Sequence, residues 1–324
     1  MLKKIRKKLF GKKLSLAIFS QISRHKYKKC DQKFYNKLGQ MYRQIQRAYG
    51  CSRLKKKYKK QISDLKERIT VEDATLPHEH EKIIWIMWLQ GMDNAPEIVR
   101  MCYRSILDNF SDMYKIVVLD AANISNYVSL PEYINEKYKS GIISKQHYSD
   151  LVRLELLDKY GGTWMDATIF CSGGDIPGFM LEDDLFLFQM VWYATWGMAT
   201  VMNAFFMSAC QNHKIIKLTK ELLYEYWKKN KYLCDYWLID DFFEIAIGEF
   251  SEEWSKTIPV ECLTMHVLQS NLAKPFNEKL FEATISRIPF HKLTWKLDKE
   301  DMEKEGTLYK YLLSHYPVYE PKTE

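Results

Sequence analysis

No window of this 324-residue sequence approaches the ~20 consecutive apolar residues that a membrane-spanning helix needs, which excludes a helical membrane span. Its seven cysteines are scattered, odd in number and never spaced Cys-x-x-Cys. That argues against a disulfide framework or a structural zinc site, and for a reducing compartment. No secretory signal is expected either: the apolar run from Leu14 to Phe19 is short, contains Ser15, and leads to Gln21 and Arg24 without a small-residue cleavage site. A cytoplasmic protein is therefore expected. There is no Gly-x4-Gly-Lys-Ser/Thr loop, no Gly-x-Gly-x-x-Gly and no Gly-x-Ser-x-Gly, so the sequence signatures of P-loop, dinucleotide-binding and α/β-hydrolase chemistry are absent. Internal repeats are absent as well.

Acidic residues are nearly missing from the first 70 positions, where Asp31, Asp64 and Glu67 face 23 lysines and arginines. The rest of the chain carries a net negative charge, so the overall +7 hides a basic arm on an acidic body. The arm also lacks proline, and Leu2, Ile5 and Leu9 recur at helical spacing, with Leu16 and Phe19 extending the stripe. The organisation expected is a basic helical arm and linker over 1–75 and one globular domain over 76–324. A basic amphipathic segment can lie on an anionic bilayer, each cation contributing on the order of 1 kcal/mol. It can equally be a solvated helix that packs on the body or a partner. No nucleic-acid-binding motif accompanies the charge, so nucleic acid is not an expected partner.

With 47% hydrophobic and 14% aromatic residues, the body can fill a substantial core. Buried strands are expected over 82–88 and 115–119, and a further strand over 163–170 that contains Asp166. Helices are expected over 97–109, 133–140, 145–160, 215–228 and 232–247, and strands over 185–191 and 202–208. Strand–helix–strand alternation of this kind predicts an α/β/α layer fold with a largely parallel sheet.

Between His147 and Phe170 the chemistry-bearing residues concentrate. Asp150 and Arg153 share a helix face by i,i+3 spacing, and the Gly161-Gly162 pair lets the backbone turn before Asp166. A planar guanidinium suits an anionic or hydroxyl-rich ligand, and a carboxylate accepts from sugar hydroxyls. The same spacing also suits a structural ion pair. Trp85 or Trp88, at the end of the first strand, can stack on a flat base or simply pack in the core. Trp192, Tyr193 and Trp196 offer either an acceptor platform or core packing. Asp240 and Asp241 are adjacent acids on a helix, of which at most one faces a site.

Ser149-Asp150-x-x-Arg153 followed by Tyr160-Gly-Gly-x-Trp164-x-Asp166 resembles the donor site of glycosyltransferases with Asp-x-Asp motifs. Trp88-Leu-Gln-Gly91 with Asn94-Ala-Pro96, Gly141-Ile-Ile-Ser-Lys145 and His291-Lys-Leu-Thr-Trp295 extend the likeness in order. Over roughly residues 80–312 the chain resembles the capsular polysaccharide synthesis proteins related to glycosyltransferase family 32. The resemblance implies a GT-A, Rossmann-like α/β/α nucleotide-sugar-binding domain. It implies transfer of a sugar from a nucleotide diphosphate to a glycan or lipid-linked acceptor, with retention of configuration. It places Trp85, Trp88, Asp150, Arg153, Gly162, Asp166, His291 and Lys292 in substrate binding, with Asp240 and Asp166 catalytic. It also implies Mg²⁺ or Mn²⁺ held by Asp166 and His291. One departure counts: Thr168 stands where the second, metal-binding Asp is usual, and a hydroxyl is a weaker ligand for a hard cation. Either Asp166, phosphate and water hold the ion, or positive side chains replace part of its work, with His291-Lys292 the candidates. Two further readings stay open: a sugar-phosphate transferase of similar fold, and a catalytically silent binding or scaffold protein.

Overall fold

The computed structural model describes residues 50–191, 202–234 and 236–320. The stripe Leu2–Phe19 and the cluster Trp192, Tyr193 and Trp196 lie outside the described residues. The first described helix, α1 (Lys59–Asp73), continues a helical stretch from Gly50, and the compact unit that contains the sheet starts at Gly50. Leu54, Tyr58, Ile62 and Ile69 turn one side of that stretch into the core, while Lys55, Lys56, Lys57, Lys59 and Lys60 remain exposed. This part of the basic segment thus has its apolar face already buried in protein.

Six strands form the main sheet in the order β2-β1-β3-β6-β5-β7. They are β1 (Ile83–Met87), β2 (Lys115–Leu119), β3 (Gly162–Met165), β5 (Leu185–Gln189), β6 (Met202–Ala209) and β7 (Val260–Glu261). β1 pairs in parallel with β2 and β3, β5 with β7, and β6 runs antiparallel to both β3 and β5. The nearly continuous apolar strands are explained by burial on both faces. On β1, Trp85 joins one core, whereas Ile84 and Ile86 join the other. The first core is completed by α1, α4 (Lys145–Tyr160), α6 (Lys214–Lys229) and α7 (Leu238–Glu249). The second contains α2 (Glu97–Phe110) and the closing helix α11 (Leu308–His315). The fold is the expected α/β/α class with a parallel-dominated sheet.

Two expected elements differ. The strand over 163–170 is two strands: β3 stays in the main sheet, and β4 (Ile169–Cys171) pairs instead with β8 (Phe290–Lys292). The Asp166–Thr168 turn makes the break, with Ile169 N–H donating back to the Asp166 carbonyl at 2.8 Å. Asp166 therefore sits at a strand end, on a turn. The helix expected from Tyr232 begins only at Leu238, leaving Tyr236 and Trp237 exposed ahead of it.

Candidate active site

Helix α4 starts where the Ser144 hydroxyl caps it by accepting the His147 backbone N–H. It ends at Gly161, whose φ of 67° lies in the left-handed region. Gly162 (φ 87°) follows, and a Cβ there would lie 2.5 Å from the Ile83 carbonyl oxygen. Only glycine lets β3 start this close to β1. Because β1 and β3 are parallel, their carboxyl ends lie on one edge of the sheet, and Trp88 and Asp166 follow those two ends. That is the edge where open α/β sheets gather ligands.

A chain of charged and polar contacts runs along this edge. Trp227 can only donate its indole N–H, so His147 Nε2 accepts it at 2.8 Å and is unprotonated. His147 Nδ1 is 3.6 Å from Asp150 Oδ2, and Asp150 Oδ1 is 3.4 Å from an Arg153 nitrogen. The other arm of Arg153 donates to Asp166 Oδ1 at 3.2 Å, and the guanidinium lies 4.9 Å from the Trp164 ring centre. Trp164 Nε1 donates to that same oxygen at 3.0 Å. Lys292 Nζ donates to Asp166 Oδ2 at 2.7 Å and to Thr168 Oγ1 at 2.6 Å. Burial alone would raise the Asp166 pKa. The Lys292 and Arg153 charges, with hydrogen bonds from Lys292 and Trp164, outweigh it and hold the carboxyl below its usual value. Asp166 thus stays ionised.

Exposure separates those that can meet a ligand from those that hold them. Side-chain exposure is 29% for Asp166, 17% for Lys292 and 13% for Asp150, but only 5% for Arg153. Arg153 bridges two carboxylates and offers little of its fork outward.

Three residues expected to bind substrate are placed elsewhere. Trp85 is fully buried, donates its indole N–H to the Gly161 carbonyl at 2.9 Å and packs on Tyr127 and Tyr160, so neither ring face is available to a base. Gly162 is at the amino end of β3, about 13 Å of extended chain from Asp166, and serves the strand junction. His291 and Lys292 point to opposite sides because side chains alternate along β8. Lys292 reaches Asp166. His291 is buried, sits against Phe170 and contacts Ser172 Oγ through Nε2 at 3.1 Å. Burial pushes its imidazole down to about 4, so it is neutral near pH 7.

Other side chains join from distant sequence. Trp88 meets the exposed Trp295 edge to face at 5.8 Å, and the buried Trp88 Nε1 has no hydrogen-bond partner among the described residues. Although Tyr236 is half exposed as a residue, partial desolvation of its phenol, and then the charges of Asp150, Asp166 and Asp240, raise its pKa against a Gln146 hydrogen bond. Those three acids therefore act on one phenol, and Asp240 belongs to this neighbourhood. Asp241 lies instead against Gly50, where an added Cβ would meet its Oδ2 at 3.7 Å. Phe205 carries Lys292 Nζ 5.6 Å from its ring centre, and His266 packs on the Phe205 edge at 5.3 Å.

The divalent cation implied by the sequence can be tested against these donors. Asp166 Oδ1 takes two N–H donors, and Lys292 occupies both Asp166 Oδ2 and Thr168 Oγ1. His291 faces away. Among the described residues no three His, Cys, Asp or Glu side chains converge as a ligand set. Arranged in this way, the donors do not fit a divalent cation.

Comparison with known proteins agrees with a sugar-handling family. The chain is 29% identical over 164 residues to the O-glycosyltransferase braB of Annulohypoxylon truncatum, covering 47% of this chain and 39% of that protein. It is 33% identical over 114 residues to the glycosyltransferase afumC of Aspergillus fumigatus, covering 33% and 28% respectively. The matched stretch thus spans well under half the length of either relative. Among solved structures the PaToxG glycosyltransferase is similar at 14% identity and a TM-score of 0.37, over 83% of this chain and 98% of that one, too loosely to carry residue roles. The model of the capsular polysaccharide synthesis proteins matches residues 7–312. Matched over nearly its whole length, the chain belongs to the capsular polysaccharide synthesis protein family.

Proposed function

We propose that this protein is a GT-A glycosyltransferase that moves a sugar from a nucleotide-diphosphate donor to a glycan or lipid-linked acceptor in capsular or surface polysaccharide assembly. The observation that carries the proposal is the linked set Asp150–Arg153–Asp166–Lys292 at the carboxyl edge of β1 and β3. Such an edge suits a nucleotide, and the pairing of ionised acids with cations suits a ligand that is part polyol and part phosphate. Asp150 and Asp166 accept from sugar and ribose hydroxyls, with Arg153 holding both carboxylates in place. Lys292 meets the diphosphate. Trp88, with Trp295 beside it, takes the base.

In transfer, the acceptor oxygen bonds to the anomeric carbon, the bond from that carbon to the diphosphate oxygen breaks, and the acceptor hydroxyl proton passes to the departing diphosphate. The bonding pair leaves with the diphosphate, and the Lys292 ammonium stabilises the charge that develops there. In this reading Asp240, whose charge acts on the same Tyr236 phenol as those of Asp150 and Asp166, orients the incoming hydroxyl. Retention of configuration is the course expected. The basic segment over residues 1–70, with its exposed lysines at 55–60, is the part that docks on an anionic membrane surface, at the cytoplasmic face where a lipid-linked acceptor is presented.

Purified full-length protein incubated with a panel of nucleotide sugars tests the proposal. Release of nucleoside diphosphate is the expected result. Release of nucleoside monophosphate would assign sugar-phosphate transfer, and no turnover or binding with any donor would leave a scaffold.

A further inference from the structure

We infer that Lys292 stands in for the divalent cation at the Asp166-Ala167-Thr168 turn, so that the site takes a nucleoside diphosphate without a metal ion. The inference rests on the proposed transferase reading and deepens it. Its geometry is direct: one ammonium touches the two motif side chains, Asp166 Oδ2 at 2.7 Å and Thr168 Oγ1 at 2.6 Å. These are the side chains between which an Asp-x-Asp motif would hold its ion. A Mg²⁺ bound to the same carboxylate oxygen would sit about 2.1 Å from it. Ion and ammonium would then compete for one position and repel each other.

Charge points the same way. Two aspartates and a divalent cation sum to zero, and so do Asp166, neutral Thr168 and Lys292. The exchange of Asp for Thr is therefore matched by a built-in cation, and an aspartate at 168 would leave the lysine short of one charge. An ammonium has three donors. Two are committed to Asp166 and Thr168, and with the side chain 17% exposed the third is left for a phosphate oxygen. Packing fixes the lysine as well, since the Phe205 ring lies 5.6 Å from Nζ and Leu293 N–H donates to the Thr168 carbonyl at 2.9 Å. β8 and the motif turn thus form one rigid pair, brought together from 124 residues apart. His291, the other basic residue of that strand, is buried on the far side and adds nothing to the charge at the turn.

Isothermal titration of the full-length protein with UDP, GDP, ADP and CDP, in EDTA and then in Mn²⁺, tests this. At least one nucleotide is expected to bind within about twofold equally in both buffers. Lys292→Ala is expected to weaken that binding by about tenfold or more, with Lys292→Arg recovering part of it. The double variant T168D/K292A, which installs Asp-x-Asp and removes the ammonium, is expected to bind only with Mn²⁺. The chelator comparison uses unaltered protein, so it decides the matter even where a variant fails to fold. Binding that requires Mn²⁺ in the unaltered protein would overturn the inference and leave the transferase reading standing. Absence of binding to all four nucleotides in both buffers would defeat the transferase reading, and this inference with it.

Discussion

Trp164 shows how much one side chain settles at this site. Its N–H restrains Asp166 and its ring lies under Arg153, so it orients both members of the ion pair while remaining buried. Trp164→Phe keeps most of the ring volume and removes the donor. We expect a loss of about 1 kcal/mol of stability and roughly tenfold in turnover with donor, checked by chemical denaturation alongside kinetics; unchanged turnover would mean that Asp166 is held well enough without it. Gly162 gives the opposite case, a site-adjacent residue whose work is structural. Its positive φ and the 2.5 Å approach of the Ile83 oxygen leave no room for a methyl group. Gly162→Ala is expected to cost on the order of 3 kcal/mol or to prevent folding, measurable as a drop in urea midpoint or in soluble yield. The motif's second glycine therefore serves the junction of β1 and β3.

At the scale of elements, helix α1 and the turn leading into it change the boundary of the arm. Leu54, Tyr58, Ile62 and Ile69 recur at helical spacing and are buried against α6 and α7. Tyr58 also meets Phe242 edge to face at 5.7 Å. Truncating residues 1–49 spares all four of these core residues and is expected to leave a body that still unfolds cooperatively. Truncating 1–70 removes all four core residues outright and is expected to give aggregated or strongly destabilised protein, as circular dichroism and size-exclusion chromatography would show. The membrane-docking proposal is therefore tested with the shorter truncation, which removes 15 of the 23 lysines and arginines of the basic segment: sedimentation with anionic liposomes is expected to fall, and equal sedimentation with and without residues 1–49 would defeat it. Helix boundaries here were largely readable, because α4 spans the expected residues 145–160 and β2 the expected 115–119. The strand over 163–170 was not, since apolar periodicity runs through the Asp166–Thr168 turn without interruption. What splits it is the partner each half finds, β1 and β6 for the first and β8 for the second.

For the whole molecule, buried imidazoles set the response to acid. Burial lowers the pKa of His213 and His291 to about 4 from an ordinary 6.5, and lowers His80 and His266 as well. Above pH 6.5 these groups are neutral in both folded and unfolded chains, and their full contribution is present. As pH falls from 6.5 towards 4, the unfolded chain takes up protons that the folded one refuses, so stability declines and then levels off below 4. His213 and His291 should each cost on the order of 2 kcal/mol by pH 5. His213 has a geometric reason too, since its Nδ1 accepts the Ile215 N–H at the start of α6 and protonation would remove that cap. Urea midpoints recorded between pH 7 and 5 should fall, and His291→Asn should flatten the slope; a pH-independent midpoint would contradict the burial of both rings.

The chain alone determined its class, most of its elements and the neighbourhood of its candidate site. Those follow from local information: apolar runs long enough for buried strands, helical spacing, a capping serine, and glycines where the backbone must turn. Asp150, Arg153 and Asp166 lie within one helix and the strand after it, so their convergence was readable. Only tertiary structure decided what closes that site. Strand alternation on β8 sends Lys292 to Asp166 and Thr168 and buries His291, and sheet depth takes Trp85 into the core while leaving Trp88 at the rim. Tyr236 enters from the approach to α7, and Phe205 and His266 from farther elements. Such contacts depend on which faces meet across 40 to 130 residues of chain, and no spacing within a motif encodes that. The threonine in the motif could be read as a deficit from the sequence; the fold supplies its counterpart, an ammonium held beside it.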